Sequence, residues 1–198
     1  MSHRVIGGTA RGRRLQLVPG DTTRPVKDLV KESLFNIIGR DVVDATFLDL
    51  FAGTGAVGIE ALSRGARHAL FLEMAGIAIK TINENLKVTE LTDRATVRRA
   101  DALGVLRGSP PAQPFDFIYV APPQYKGIWL EVLNVLDTNP GWLGEDTQVI
   151  VQIDPSEYAP LGLRHISVRD ERRYGKTMLL FMERNELPFD PTNGQVNK

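Results

Sequence analysis

Two short stretches of this 198-residue chain hold residue types whose spacing can do chemistry. The first is "FLDLFAGTGAVGIEAL" at 47–62, an apolar run, a glycine turn and an apolar helix pattern. Gly53, Gly55 and Gly58 fit G-x-G-x-x-G, a loop whose missing Cβ atoms let the backbone approach a nucleotide-like ligand. Acidic residues accompany it: Asp49 before the loop, Glu73 in "FLEM" and Asp101 in "RRADAL". The second stretch is "FIYVAPPQYKGIW" at 117–129, an apolar run that Pro122 and Pro123 end abruptly. A strand ending in Pro-Pro beside an aromatic makes a rigid corner.

The acids choose between ligands. Glu73, ending a second strand, suits the two hydroxyls of a ribose, which NAD and S-adenosylmethionine share. Asp49 would repel a pyrophosphate but attract the cationic amino group of a methionine moiety, so adenosylmethionine is favoured over NAD. Asp101 is read either as an acceptor for an adenine amine or as a helix N-cap. No Lys follows the glycines, so a P-loop is excluded.

The proline corner suits an exocyclic amine of a base. Such a nitrogen is a poor nucleophile because its lone pair is delocalised into the ring. Acceptors fixed by proline can draw on the NH2 hydrogens and favour a more tetrahedral nitrogen. A neighbouring aromatic can stack on a base turned out of its helix.

The elements that must position these residues follow from periodicity. Strands are predicted at "TFLDLF", "HALFLE", "ATVRRA", "FDFIYVA", "TQVIVQI", "LRHISVRD" and "KTMLLFME". Helices are expected near 56–65, 77–88, 101–107 and 127–137, so the order implies βαβ units and a mostly parallel sheet. The last two strands are joined only by "ERRYG", too short for a crossover, and must form an antiparallel hairpin. At the front, "RVIGGTARGRRLQLV" reads as two short strands around a basic turn. "TRPVKDLVKESLFNIIG" follows as a helix with Val26, Leu29, Val30, Leu34, Ile37 and Ile38 on one face.

Composition bounds the rest. Hydrophobic residues at 42% and charged residues at 24% are globular values. No cysteine is present, which excludes disulfides, thiolate catalysis and Cys-ligated zinc. His3, His68 and His165 lack metal-ligand spacing, and Trp129 and Trp142 read as packing. No membrane span and no secretion signal is apparent, so a cytoplasmic location is expected. The chain is neutral, yet its first 40 residues carry eight cations and three anions, a net of +5, leaving −5 elsewhere. That end either meets a polyanion or is a solvated face. The cations of "RRYGKT" pose the same alternative.

The chain resembles the bacterial small-subunit (16S) rRNA guanine-N2 methyltransferases over nearly its whole length. The resemblance lies in "RVIGGTARGRRL", "RPVKDLVKESLFNII", "FLDLFAGTGAVGIEALSRGA", "FLEM", "FDFIYVAPP" and "RRYGKTMLLF". It implies a Rossmann-like class I methyltransferase sheet in an α/β fold, mostly parallel with a C-terminal antiparallel hairpin, plus a small N-terminal β-hairpin and helix. It implies a basic RNA-binding extension at 1–40, a methyltransferase domain at 41–185 and a tail at 186–198. Asp49, Phe51, Gly53, Gly55, Glu73, Met74, Asp101 and Ala102 would hold S-adenosylmethionine. Ala121, Pro122, Pro123, Gln124 and Tyr125 would form the base corner, and Arg4, Arg11, Arg13, Arg14, Arg24 and Lys126 would grip RNA. The partner would be small-subunit rRNA or the assembling small ribosomal subunit, with no metal, no membrane and a monomer favoured.

Two positions depart from the family pattern. An acid or Asn usually stands at Ala121, and Tyr or Phe at Gln124. A lost transition-state hydrogen bond would lower the rate by about 10²–10³-fold. Besides an active rRNA methyltransferase, the sequence therefore admits a homologue that binds cofactor and RNA but transfers slowly or not at all. A DNA amino-methyltransferase and, more remotely, an NAD oxidoreductase are the other readings.

Overall fold

A computed structural model describes residues 3–20 and 28–185. Among them, seven strands form one sheet in the order β3-β2-β1-β4-β5-β7-β6. Strands β1 (Thr46–Asp49), β2 (His68–Glu73), β3 (Ala95–Arg99), β4 (Phe117–Val120) and β5 (Gln148–Ile153) run parallel. The last two, β6 (Ile166–Tyr174) and β7 (Thr177–Arg184), are antiparallel. This is the mostly parallel α/β sheet with a C-terminal hairpin that the sequence predicts.

Apolar runs occupy the middle of the sheet because both faces there are covered. Every residue of β4 is buried, and so are Phe47, Leu48 and Asp49 of β1. Helices α1 (Asp28–Ile38), α2 (Ala56–Ser63) and α3 (Gly76–Thr89) contribute to one apolar cluster, centred on Phe47 stacked with Phe35 and Phe117. On the other face, α4 (Ala102–Leu106) and α5 (Ile128–Thr138) build a second cluster that includes Trp129 and Trp142.

Helix α2 is buried at all eight positions. Small residues bring it against the sheet: a Cβ at Gly58 would lie 2.3 Å from the Phe71 ring. Its outer side is covered by the N-terminal arm, whose Val5, Ala10 and Leu15 join the same core cluster as α1 and β1.

The structure corrects three expectations. The arm does not form two strands; one antiparallel bridge joins Arg4 and Arg14, with turn bonds such as Gly12 N–H to Val5 O at 2.9 Å. Two glycines with positive φ, Gly8 and Gly12, bend the backbone out of a regular ladder. In α1, Leu29 and Ile37 are exposed, whereas Lys31 and Phe35 are buried; Val26 lies outside the described residues. The face is rotated because Lys31 finds a buried carboxylate, described below. Finally, "ERRY" belongs to β6, and the turn is the two residues Gly175 and Lys176, with Tyr174 paired to Thr177. Gly175 has φ 60°, which lets the chain reverse so tightly.

Candidate active site

The chain passes outward from β1 to β2 and β3, then returns to the other side of β1 as β4. At such a switch point the loops beyond the carboxyl ends of the two strands diverge and leave a crevice. Asp49, the last residue of β1, lies in register with Tyr119, two residues before Ala121. The glycine loop and the proline corner therefore leave the sheet side by side.

Gly53 and Gly55 have φ 53° and 76°, a backbone region that side chains disfavour. Space beside Gly53 is open, so a ligand can lie against its backbone. The loop is tied to the next strand: Gly53 N–H donates to Glu73 Oε2 at 2.9 Å, and Ala52 N–H to Leu72 O at 3.0 Å. The other Glu73 oxygen accepts from Met74 and Ala75 N–H at 2.8 and 2.9 Å, while Met74 itself is exposed beside it. Phe51 is half-buried at the base of the loop.

Asp49 is buried, and burial pushes its carboxyl up to about 7 against backbone donors from Gly58 and Phe51. Its Oδ1 has no hydrogen-bond partner among the described residues. A buried acceptor with nothing to accept is unfavourable unless a ligand supplies a donor. The ammonium of a methionyl group is such a donor, and the open Gly53 backbone and the partly used Glu73 carboxylate suit the rest of S-adenosylmethionine. The residues present fit that cofactor.

Asp101 N-caps α4, accepting from Gly104 N–H at 2.8 Å through one oxygen, as its capping alternative predicts. Ala102 is buried in the second core cluster.

At the corner, Pro122 is buried and Ala121 half-buried, whereas Pro123, Gln124, Tyr125 and Lys126 are exposed. Tyr119 below it is buried, its hydroxyl donating to Gln152 at 2.7 Å. Tyr125 N–H donates to Glu157 Oε1 at 2.8 Å, and its hydroxyl donates to Asp154 Oδ2 at 3.0 Å. Neither acid stands out in the sequence as a site residue, although "DPSE" at 154–157 carries the capping-box spacing that they adopt.

The N-terminal arm reaches the same edge. His3 bonds Thr54, between the two loop glycines, at 2.9 Å. Asn85 on α3 accepts from Gln16 N–H at 2.7 Å and donates to Thr54 O at 2.9 Å. Glu60 on α2 accepts from Ile6 and Gly7 N–H at 2.9 and 2.7 Å and pairs with Lys31 and Arg64 at 3.2 and 2.9 Å. Of the predicted RNA-binding residues, Arg4, Arg11, Arg13, Arg14 and Lys126 are exposed, and Arg24 lies outside the described residues. Arg13 is engaged by Val88 O and Glu90, and Arg4 by Asp28; Arg11 and Arg14 make no ion pair among the described residues.

Known proteins share this organisation. The model of the family named Conserved hypothetical protein 95 matches residues 3–183. The Bacillus subtilis protein YlbH is 40% identical over 175 residues, which cover 88% of this chain and 95% of that one. Ribosomal RNA small subunit methyltransferase D of Escherichia coli K12 is 34% identical over 91% of this chain and 89% of its own. The solved structure of Escherichia coli yhhF superposes with a TM-score of 0.79 at 34% identity, over 93% of this chain and 98% of that one. A match that runs from the arm to the last strand makes this chain a member of the Conserved hypothetical protein 95 family, whose relatives here are methyltransferases built on a Rossmann-like sheet.

Proposed function

We propose that the chain transfers a methyl group from S-adenosylmethionine to the exocyclic N2 of a guanine in small-subunit rRNA. The observation that carries this reading is the buried Asp49 oxygen, unpartnered among the described residues, on the strand beside the one that ends in the proline corner. The cofactor supplies an electrophilic methyl on a sulfonium. Asp49 holds its ammonium, Glu73 its ribose, and the open face of Gly53 its backbone contact. Ala121 and Pro122 present carbonyls, fixed by the prolines, that accept hydrogen bonds from the N–H groups of the target amine. Tyr125 offers a face for the extruded base. The relative named for small-subunit rRNA supports the RNA, and the amine chemistry of the corner together with the family resemblance supports guanine N2.

Small subunits from a strain lacking N2-methylguanine test this directly. After incubation with methyl-labelled S-adenosylmethionine, the label is expected in N2-methylguanosine; label in no guanosine would sink the proposal. Ala121, which offers no side-chain acceptor, favours a second reading in which the chain binds both ligands but transfers slowly. Ala121→Asp separates the two. A gain of about 10²–10³-fold shows a weakened corner, and an unchanged, substantial rate shows that the carbonyls or Gln124 suffice.

A further inference from the structure

Tyr125 is 68% exposed, yet its backbone and its side chain are both held. Its φ is 61°, a left-handed conformation that a bulky residue adopts only when its surroundings impose it. What holds it comes from the neighbouring strand. Val151 of β5 pairs with Val120 of β4, so the 3₁₀ turn Pro155–Glu157 after β5 lies alongside the corner after β4. Glu157 takes the Tyr125 N–H, and Asp154 takes the hydroxyl.

The two acids are themselves fixed. Asp154 Oδ1 accepts from the Ser156 N–H and hydroxyl at 3.0 and 2.8 Å. Those bonds, with a smaller contribution from Tyr125, hold the Asp154 carboxyl below its ordinary range and keep it ionised. An ionised acceptor makes the stronger bond to a phenol. A core tyrosine is held by packing; this one has directed bonds to two acids although most of its surface is exposed.

We propose that Asp154 and Glu157 are positioning residues that clamp Tyr125 as a fixed aromatic wall for the target base. This rests on reading 121–125 as the base corner. A ring fixed in advance loses less freedom when a base stacks on it, and holds the amine where the carbonyls of Ala121 and Pro122 point.

The test uses the full chain, small subunits lacking N2-methylguanine, and Asp154→Ala, Tyr125→Phe and the double variant. Tyr125→Phe keeps the ring and removes only the hydroxyl, so it reports on the clamp even if Asp154→Ala folds poorly. Each single change is expected to lower kcat/KM for the RNA by about 10–100-fold while calorimetric affinity for S-adenosylmethionine stays constant. The double variant should be no worse than the worse single, because both abolish the same Tyr125–Asp154 bond. Full activity of either single variant, or losses that multiply in the double, would overturn the clamp. Relaxation of a ¹³C-labelled Tyr125 ring supplies a readout that needs no methyl transfer. If the wild-type chain methylates no guanine, the proposed function fails. The clamp is then judged by the ring alone: rigid in the wild type and loosened by Asp154→Ala or Glu157→Gln supports it, and equal mobility overturns it.

Discussion

On the proposed reading, Asp49 would tie cofactor binding to pH. Its carboxyl titrates near 7 in the folded chain against 3.8 ordinarily, first because of burial and less because of Glu73. The native state therefore holds an extra proton between those values, so stability falls as pH rises from about 4 to about 7, by a few kcal/mol in order of magnitude. A bound ammonium reverses the penalty by giving Oδ1 a partner. The melting-temperature gain from S-adenosylmethionine is thus expected to grow from pH 5 to pH 7. It should decline above about 8, where a free α-amino group loses its proton. Asp49→Asn should flatten the lower limb and weaken cofactor binding roughly 10–100-fold, the size of one charge-assisted bond. A thermal shift that ignores pH in the wild type would mean that Asp49 does not meet the cofactor.

Helix α2 begins at the glycine loop, and what sits on its outer side decides whether the loop is held. Glu60 there gathers two backbone N–H groups of the arm, the buried Lys31 ammonium and Arg64. Removing one partner of a buried pair leaves an uncompensated charge, at a cost of about 3–5 kcal/mol. Glu60→Gln leaves the Lys31 ammonium with the Arg4 carbonyl but no counter-ion, whereas Lys31→Met leaves Glu60 with Arg64 and both N–H groups. Urea unfolding should therefore rank Glu60→Gln as the more damaging change, and equal losses would contradict this network. The same pair explains what periodicity could and could not reveal. Apolar runs announce β1 and β4, and the glycine spacing announces the loop, because those signals are local. Lys31 counts as polar in any local pattern, so Leu29 and Ile37 take its place on the apolar face until a carboxylate 29 residues away is known to meet it. Asp154 and Glu157 escape for a related reason: their capping box is local, but their contact with Tyr125 spans two strands.

Over the whole molecule, the basic arm and the glycine loop are joined by direct contacts. The first 40 residues carry a net of +5, and their arm rests on the glycine loop through His3, Thr54, Gln16 and Asn85. On the proposed reading, an RNA gripped by this arm would be held by a segment that is itself tied to the cofactor loop. The arm's arginines are not equivalent, however. Arg13 is already spent on Val88 O and Glu90, while Arg11 and Arg14 project from the same turn with no ion pair among the described residues. Each phosphate contact releases counterions, so losing one should lower the salt slope of RNA binding by about 0.7–0.9. Arg11→Ala and Arg14→Ala are expected to do so, weakening RNA binding without changing calorimetric affinity for S-adenosylmethionine. Arg13→Ala should leave the slope nearly intact and slightly destabilise the fold instead, since its partners lie within the chain. Binding isotherms from low to moderate salt distinguish these cases. Equal slopes in all three variants and the wild type would show that the basic end is a solvated face, and that RNA reaches the corner by another route.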